Sequence, residues 1–178
     1  TAHVFRTVGH AADFGVQASA PTIEWGTTLA RKQSIIDQLV GGLSGLLKQR
    51  KVTVYNGKGS LGADRTVTVS GGESGDLTLQ GKAVVLAAGS ATRSIPGFDV
   101  DGSVVMTSDE VLSMPKLPGS AVVIGGGAIG CEFASMMGDL GTEVTILEAL
   151  PQILNGCDAD AAKVVERSFK KRGITTRT

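Results

Sequence analysis

The stretch from Ala121 to Glu148 reads AVVIGGGAIGCEFASMMGDLGTEVTILE, and it decides the fold class. Ala121 to Ile124 is a short apolar run without alternation, the pattern of a strand covered on both faces. A glycine-rich loop follows, then a helical pattern to about Leu140 and a second strand from Glu143 to Glu148. This order predicts a strand–loop–helix–strand unit of a parallel α/β sheet.

The loop between the first strand and the helix, Gly125-Gly126-Gly127-Ala128-Ile129-Gly130, has the spacing G-x-G-x-x-G. Gly125 would permit a tight turn, Gly127 would let a pyrophosphate approach the backbone, and Gly130 would let the helix pack closely on the strand. The helix N-terminus adds free N–H groups and partial positive charge, which favour phosphate. The loop therefore predicts a dinucleotide site. The alternative is that its glycines serve only chain packing.

Glu148 ends the second strand, 18 residues after Gly130. A carboxylate at this place can accept hydrogen bonds from the adenosine ribose hydroxyls. A 2′-phosphate about 4 Å away would be opposed by about 4 kcal/mol at an effective dielectric of about 20. Ala149 and Leu150 offer no adjacent cation. The sequence thus predicts NAD over NADP, unless Glu148 is only a solvated strand end.

The charge balance argues against some partner classes. Seventeen basic and seventeen acidic residues give a net charge of zero, which disfavours nucleic acid and anionic membrane surfaces. The sequence has no apolar run of about 20 residues and no leader with a basic segment before an apolar one, so we expect a cytoplasmic protein. Cys131 and Cys157 lack metal-ligand and redox spacing and are predicted to act as small apolar residues, with no metal bound. His3 and His10 lack an acidic partner at useful spacing and are predicted to be ordinary surface or boundary residues.

The rest of the chain predicts a mixture of helices and strands. Helices are expected in the first ten residues and over Thr27 to Gln49, where Gly41, Gly42 and Gly45 predict either another backbone packed close by or a loosened helix end. Strands are expected at Val52–Asn56, Thr66–Val69 and Asp76–Leu79, forming a small antiparallel layer with a loop over Gly71–Gly75, and a buried strand at Ala83–Ala87. Further along, Ser108 should cap a single helical turn, a domain boundary should fall near Lys116, and Asp160–Arg172 should form a helix followed by a strand from Ile174.

The motifs together resemble one enzyme family over nearly the whole chain. Val84-Val85-Leu86-Ala87-Ala88-Gly89-Ser90, Ile95-Pro96-Gly97, Ile124 to Glu132 and Thr145-Ile146-Leu147-Glu148 resemble the flavoprotein disulfide reductases, class I of the pyridine nucleotide-disulfide oxidoreductases. The likeness is strongest to members that oxidise dihydrolipoyl groups and pass electrons through FAD to NAD. It implies a three-layer FAD/NAD(P)-binding Rossmann-like α/β fold in two incomplete domains, with residues 1–115 in the FAD domain and 116–178 in the NAD domain. It also implies a homodimer and the lipoyl domains of a 2-oxoacid dehydrogenase complex as partners.

The resemblance also implies cofactor contacts. Ala88, Gly89 and Ser90 would touch FAD, with Ala88 in place of the family's threonine, and Gly57 would contact the FAD adenine unless it only forms a turn. Glu132 would lie near the nicotinamide and flavin; otherwise it is a carboxylate near a helix start. The predicted contacts of the NAD unit are Gly125, Gly126, Gly127, Ala128, Ile129, Gly130, Cys131, Glu132 and Glu148.

No catalytic residue is predicted within these 178 residues. The family uses a cysteine pair and a histidine, which we expect upstream of Thr1 and downstream of Thr178, so the sequence is interpreted as the middle of a larger enzyme and the chain alone as inactive. Two alternatives stay open. One is another flavoprotein disulfide reductase, and the other is a non-catalytic nucleotide-binding fragment.

Overall fold

The computed structural model describes residues 1–72 and 75–178. They form two compact units: Thr1–Lys32 together with Ser94–Thr178, and Gln33–Arg93. The helices are α1 (Ala2–Gly9), α2 (Trp25–Gln49), α3 (Ser108–Val111), α4 (Ala128–Asp139) and α5 (Ala159–Lys171), with 3₁₀ turns at Ala11–Phe14 and Ala63–Arg65. The strands are β1 (Lys58–Leu61), β2 (Thr66–Ser70), β3 (Leu77–Gln80), β4 (Ser120–Ile124), β5 (Glu143–Leu147) and β6 (Thr175–Arg177).

The first unit contains the predicted parallel sheet. Its strand order is β4-β5-β6, with Val123 beside Ile146 and Ile146 beside Thr176. Because parallel strands need a crossover, α4 connects β4 to β5 and α5 precedes β6. The core of the unit lies between the sheet and these helices, with Ala134, Ile146 and Ile153 fully buried. The α/β class and the fingerprint unit are therefore confirmed.

The burial of β4 differs from the prediction on one face of the sheet. Ala121 and Val123 turn toward the helices and are partly buried, whereas Val122 and Ile124 are 63% and 40% exposed. Successive strand residues point to opposite faces, so an apolar run is buried on both sides only if both faces are covered. Within the described residues only one face of β4 is covered, and the expectation of burial on both faces is wrong there.

Two buried or partly buried arginine contacts tie helices of the first unit together. Asp139, at the C-terminal end of α4, forms ion pairs with Arg172 at 2.7 Å and with Arg6 of α1 at 3.4 Å. The Arg172 guanidinium also donates to the Ser135 hydroxyl at 2.9 Å and carbonyl at 2.6 Å. One carboxylate thus joins α1, α4 and the end of α5.

The connector before β4 is anchored to α2 within the same unit. The Trp25 indole N–H donates to the Met114 carbonyl at 2.9 Å, and Lys32 Nζ donates to the Leu112 carbonyl at 2.7 Å. The single helical turn α3 is present, but its N-cap is Thr107 and not Ser108. The Thr107 hydroxyl accepts the Asp109 N–H, and Glu110 accepts the Thr107 N–H, which makes a capping box.

The second unit holds the predicted small antiparallel layer, in the order β1-β2-β3. The first strand is Lys58–Leu61 and not Val52–Asn56. The chain turns at Gly57, whose φ is 151°, and β2 pairs with the residues after this turn, from Lys58 opposite Ser70. The strand predicted at Thr66–Val69 is present, and the one predicted at Asp76–Leu79 is shifted by one residue. Of the loop predicted over Gly71–Gly75, Glu73 and Ser74 lie outside the described residues.

Two further predictions for the second unit are wrong. Residues 83–87 form no strand, and Val85 is 88% exposed, because no strand edge among the described residues supplies hydrogen-bond partners. The long helix is present and begins at Trp25, but its apolar side chains from Ile35 to Leu46 are exposed, whereas Trp25, Leu29 and Leu47 are half-buried. Apart from the helix's own backbone and the chain neighbours, no described atom would come within 4 Å of a Cβ added at Gly41, Gly42 or Gly45. The expectation that another backbone packs close there is therefore wrong for the described residues, and the helix continues past these glycines to Gln49.

Candidate functional site

The site is the glycine loop between β4 and α4. Gly125 has φ 106°, and its N–H donates to the Leu147 carbonyl at 2.8 Å, which turns the chain sharply at the end of the strand. A Cβ added at Gly130 would collide with the Gly125 carbonyl oxygen and lie 3.1 Å from Val123 Cγ1. Gly125 and Gly130 therefore have the turn and packing roles that the spacing predicts.

The other end of the loop is open. Gly127 is the N-cap of α4, is exposed, and would present an added Cβ to no described atom within 4 Å. No side chain caps the helix and no acidic residue lies in its first turn. The first N–H groups of a helix have no partner within it and carry partial positive charge. Ala128 and Ile129 are exposed beside this end, so the surface fits the pyrophosphate of a dinucleotide.

Glu148 lies against the loop. Its carboxylate accepts the Gly126 N–H at 2.7 Å and the Leu150 N–H at 2.9 Å. These bonds, that of Leu150 first, lower the pKa of the Glu148 carboxyl, which is therefore ionised at neutral pH. The Glu148 N–H donates to the Arg177 carbonyl at 2.8 Å, so β6 also holds the residue in place. The structure thus brings Glu148 and the glycine loop together.

Cys131 packs beneath the loop. Its side chain is buried and its thiol donates to the Gly126 carbonyl at 3.3 Å. Burial first, and then the negative charge of Glu148, raises the pKa of the Cys131 thiol, which keeps it protonated. Cys131 has the predicted role of a small core residue, whereas Cys157 is exposed and does not. Contact between Cys131 and a cofactor stays a prediction.

The other residues predicted to contact a cofactor lie outside the glycine loop. Glu132 is exposed in the first half of α4, and both interpretations of it stay open. Ala88, Gly89 and Ser90 are exposed in an irregular segment of the second unit. A Cβ at Gly57 would lie 2.7 Å from Val69 Cγ1 and 2.8 Å from the Ser70 carbonyl oxygen. The turn itself therefore requires this glycine.

The histidines lie on the surface, as predicted, but one has an acidic neighbour. His10 Nδ1 lies 3.3 Å from Asp13 Oδ2, and both side chains are exposed. The expectation that neither histidine has an acidic partner at useful spacing is wrong for His10. The described parts of the chain contain no group of three or more His, Cys, Asp or Glu side chains arranged for a metal ion. No helix in those parts is long and apolar enough to cross a bilayer.

Residues after β5 complete the site and were missed by the sequence analysis. The Leu154 N–H donates to the Gly126 carbonyl at 2.6 Å, and the fully buried Ile153 lies beside the Gly126 Cα, where an added Cβ would come within 2.8 Å of Ile153 Cγ2. The one local signal was an apolar pair, Ile153-Leu154, between Pro151 and Gly156. This pair gave no indication that Ile153 and Leu154 contact Gly126.

Comparison with known families identifies one that covers nearly the whole chain. The family described as pyridine nucleotide-disulphide oxidoreductase matches residues 4–178. The chain belongs to this family. Its curated relatives include a dihydrolipoyl dehydrogenase of Bacillus subtilis, 39% identical over 98% of this chain, and one of Zymomonas mobilis, 35% identical over 98%. A leghemoglobin reductase of Glycine max is 32% identical over 98%. The chain covers 38%, 37% and 34% of these three proteins, respectively.

Solved structures share the fold. LpdA of Mycobacterium tuberculosis superposes with a TM-score of 0.85 over 99% of this chain and 39% of its own, at 24% identity. The HOCl-induced flavoprotein disulfide reductase RclA of Escherichia coli gives a TM-score of 0.73 over 97% of this chain and 38% of its own, at 24% identity. These likenesses confirm the predicted fold class.

Proposed function

We propose that this chain is part of a dihydrolipoyl dehydrogenase, which oxidises dihydrolipoyl groups and passes the electrons through FAD to NAD. The observation that carries the proposal is the glycine loop, open at Gly127 and backed by the ionised Glu148. The names of the Bacillus and Zymomonas relatives support the choice of this activity within the family.

In the proposed mechanism this part of the chain binds and orients the dinucleotide, whose nicotinamide accepts hydride when bound. The N–H groups at the start of α4 would hold the pyrophosphate. Glu148 would accept from the ribose hydroxyls and repel a 2′-phosphate, which favours NAD over NADP. Cys131, buried and protonated, takes no part in dithiol exchange, because exchange requires a thiolate.

The other predicted roles remain proposals. FAD would be contacted at Ala88, Gly89 and Ser90, with Gly57 near the adenine, and Glu132 would lie near the nicotinamide. The partners would be the lipoyl domains of a 2-oxoacid dehydrogenase complex, the whole enzyme would be a cytoplasmic homodimer, and nucleic acid and membrane would not be bound. The resemblance of the motifs supports the cofactor contacts, the lipoyl partners and the dimer. The balanced charge supports the exclusion of nucleic acid and membrane surfaces, and the lack of an apolar run of about 20 residues supports the cytoplasmic location.

The test is an assay of the protein as its source makes it. Purified protein should show bound flavin in its absorbance and reduce NAD, and not NADP, with dihydrolipoamide as the electron donor. Oxidation of NADH or NADPH by a disulfide other than lipoamide, with no turnover of dihydrolipoamide, would replace this proposal with another flavoprotein disulfide reductase. Binding of NADH with no turnover and no flavin would instead identify a nucleotide-binding protein without catalysis.

A further inference from the structure

Gly126, the buried residue in the middle of the glycine loop, is held from three sides. Its N–H donates to Glu148 and its carbonyl accepts from Leu154 and from the Cys131 thiol. Its Cα lies against Ile153, so closely that an added Cβ would lie 2.8 Å from Ile153 Cγ2. Groups outside the loop therefore fix the peptide units on both sides of Gly126.

Glu148 is the charged member of this set. One carboxylate oxygen accepts the Gly126 N–H, and the other accepts the Leu150 N–H at 2.9 Å. Hydrogen bonds to an ionised acceptor are about twice as strong as those between neutral groups. Because the Arg177 carbonyl holds the Glu148 N–H at 2.8 Å, the carboxylate projects from a fixed point of the sheet.

The second contact point is Leu154, which has φ 52°. This left-handed conformation is unfavourable for a residue with a side chain. The hydrogen bond from its N–H to Gly126 and the full burial of the neighbouring Ile153 offset that cost. Residues 149–157 are thus folded back onto the loop and help to set its shape.

We propose that Glu148 is a positioning residue for the phosphate-binding loop, in addition to its predicted contact with ribose. Its carboxylate fixes the Gly126 N–H and so presets the backbone that leads into Gly127 and the start of α4. The proposal rests on the proposed dinucleotide function. It differs from the ribose role in one consequence: loss of Glu148 should weaken ligands that carry phosphates but no ribose hydroxyls.

The first test needs no ligand. In the ¹⁵N-labelled protein, the amide proton shift of Gly126 should follow the titration of Glu148, with a midpoint below the ordinary glutamate value of about 4.3. This pH-dependent change should vanish in Glu148→Ala and persist in Glu143→Ala, a matched change at the exposed start of β5, the strand that Glu148 follows. A Gly126 amide insensitive to this titration would overturn the proposal.

The second test compares ADP with 2′,3′-dideoxyADP by calorimetry. Glu148→Ala should weaken both ligands, the dideoxy compound by about tenfold, since a bond to a charged group is lost. Glu148→Gln, which keeps one acceptor oxygen, should give a smaller loss, and Glu143→Ala should leave both affinities unchanged. If Glu148→Ala weakens ADP alone, Glu148 serves only the ribose and the positioning role is rejected.

The two tests separate the failure of each idea. If the wild-type protein binds neither nucleotide while the Gly126 amide follows Glu148, the proposed dinucleotide function fails and Glu148 still anchors the loop. If both nucleotides bind and the amide does not titrate, the dinucleotide function stands and the anchoring role fails.

Discussion

Gly127 and Gly130 lie in the same loop but should respond differently to an added methyl group. Gly130→Ala places its Cβ against the Gly125 carbonyl oxygen, and overpacking of this kind costs about 1–3 kcal/mol in stability. Gly127→Ala meets no described atom, so stability should hold while NADH binding falls, because the methyl group occupies the approach of the pyrophosphate. Urea unfolding and fluorescence titration measure the two effects. Equal loss of stability in both variants would contradict this division of roles.

The cofactor preference should reside in Glu148. Glu148→Arg removes the charge that opposes a 2′-phosphate and adds one that attracts it, so the ratio of the NADPH to NADH dissociation constants should fall by at least about tenfold. The ratio is the relevant quantity, because loss of the loop contact weakens both nucleotides. Glu143→Arg is the matched control. An unchanged ratio would remove Glu148 from the recognition of the ribose.

For single residues, the sequence predicted those roles that depend only on neighbours close in the chain. The roles of Gly125 and Gly130 follow from a spacing that any strand–turn–helix imposes, and the structure confirms them. The contacts of Gly126 with Glu148, Ile153 and Leu154 were not predicted, because they depend on how residues 149–157 fold back. The G-x-G-x-x-G pattern permits any residue at position 126. The fold shows that only glycine fits there beside Ile153.

Among the elements, the loop that follows Gly97 is stabilised by a carboxylate that accepts backbone hydrogen bonds and can be protonated in acid. Asp101 accepts the N–H groups of Ser103, Val104 and Val105 at 2.7, 2.7 and 3.0 Å, which lowers its pKa to about 2. A lowered pKa stabilises the loop above the unfolded value of about 3.9, and this stabilisation is lost as the pH falls through about 2. Amide shifts of residues 103–105 should titrate with that midpoint and become insensitive in Asp101→Asn. A midpoint near 4 would refute the capping role.

The carboxylate that joins three helices should contribute to stability unequally through its two partners. Asp139 is 9% exposed and Arg172 18%, whereas Arg6 is 41% exposed at a longer distance. Arg172→Ala removes the half-buried partner of Asp139 and should cost about 2 kcal/mol. Arg6→Ala should cost less than about 1 kcal/mol, because water screens an exposed pair. Urea unfolding of the two variants gives the order; the reverse order would mean that α1 is the main partner of α4.

Elements were predicted well where their signal lies within their own residues. The helices α4 and α5 and the strands β4–β6 follow from periodicity and glycine positions, although the Asp158 cap of α5 was not predicted. The predictions at Val52–Asn56 and Ala83–Ala87 were wrong because strand propensity says nothing about whether a pairing edge is near. For the same reason the composition of β4 did not reveal that Val122 and Ile124 are exposed.

Over the whole molecule, the two compact units differ in how much they bury. The first has a continuous core around Val144, Ile146 and Phe169, whereas among the described residues of the second only Val69 is buried. Local opening is easier where few apolar contacts are broken. Amides of β4–β6 should therefore exchange at least about tenfold more slowly than those of β1–β3, as measured by hydrogen–deuterium exchange of this chain. Equal protection would show that the second unit is stabilised by contacts other than its own core.

The division between an FAD domain and an NAD domain near residue 115 stays a prediction. The two compact units are defined by packing within this chain, and their limits at Lys32 and Ser94 follow from that packing alone.

The crowding of Gly126 by Ile153 has a consequence for how these two positions change over evolution. Alanine at 126 is incompatible with isoleucine at 153, since its methyl group would lie 2.8 Å from Ile153 Cγ2. A lineage that acquires a side chain at 126 must first, or at once, reduce residue 153. In an alignment of descendants, the two positions should therefore vary as a pair, and the Gly126→Ala and Ile153→Ala changes should be tolerated better together than Gly126→Ala alone.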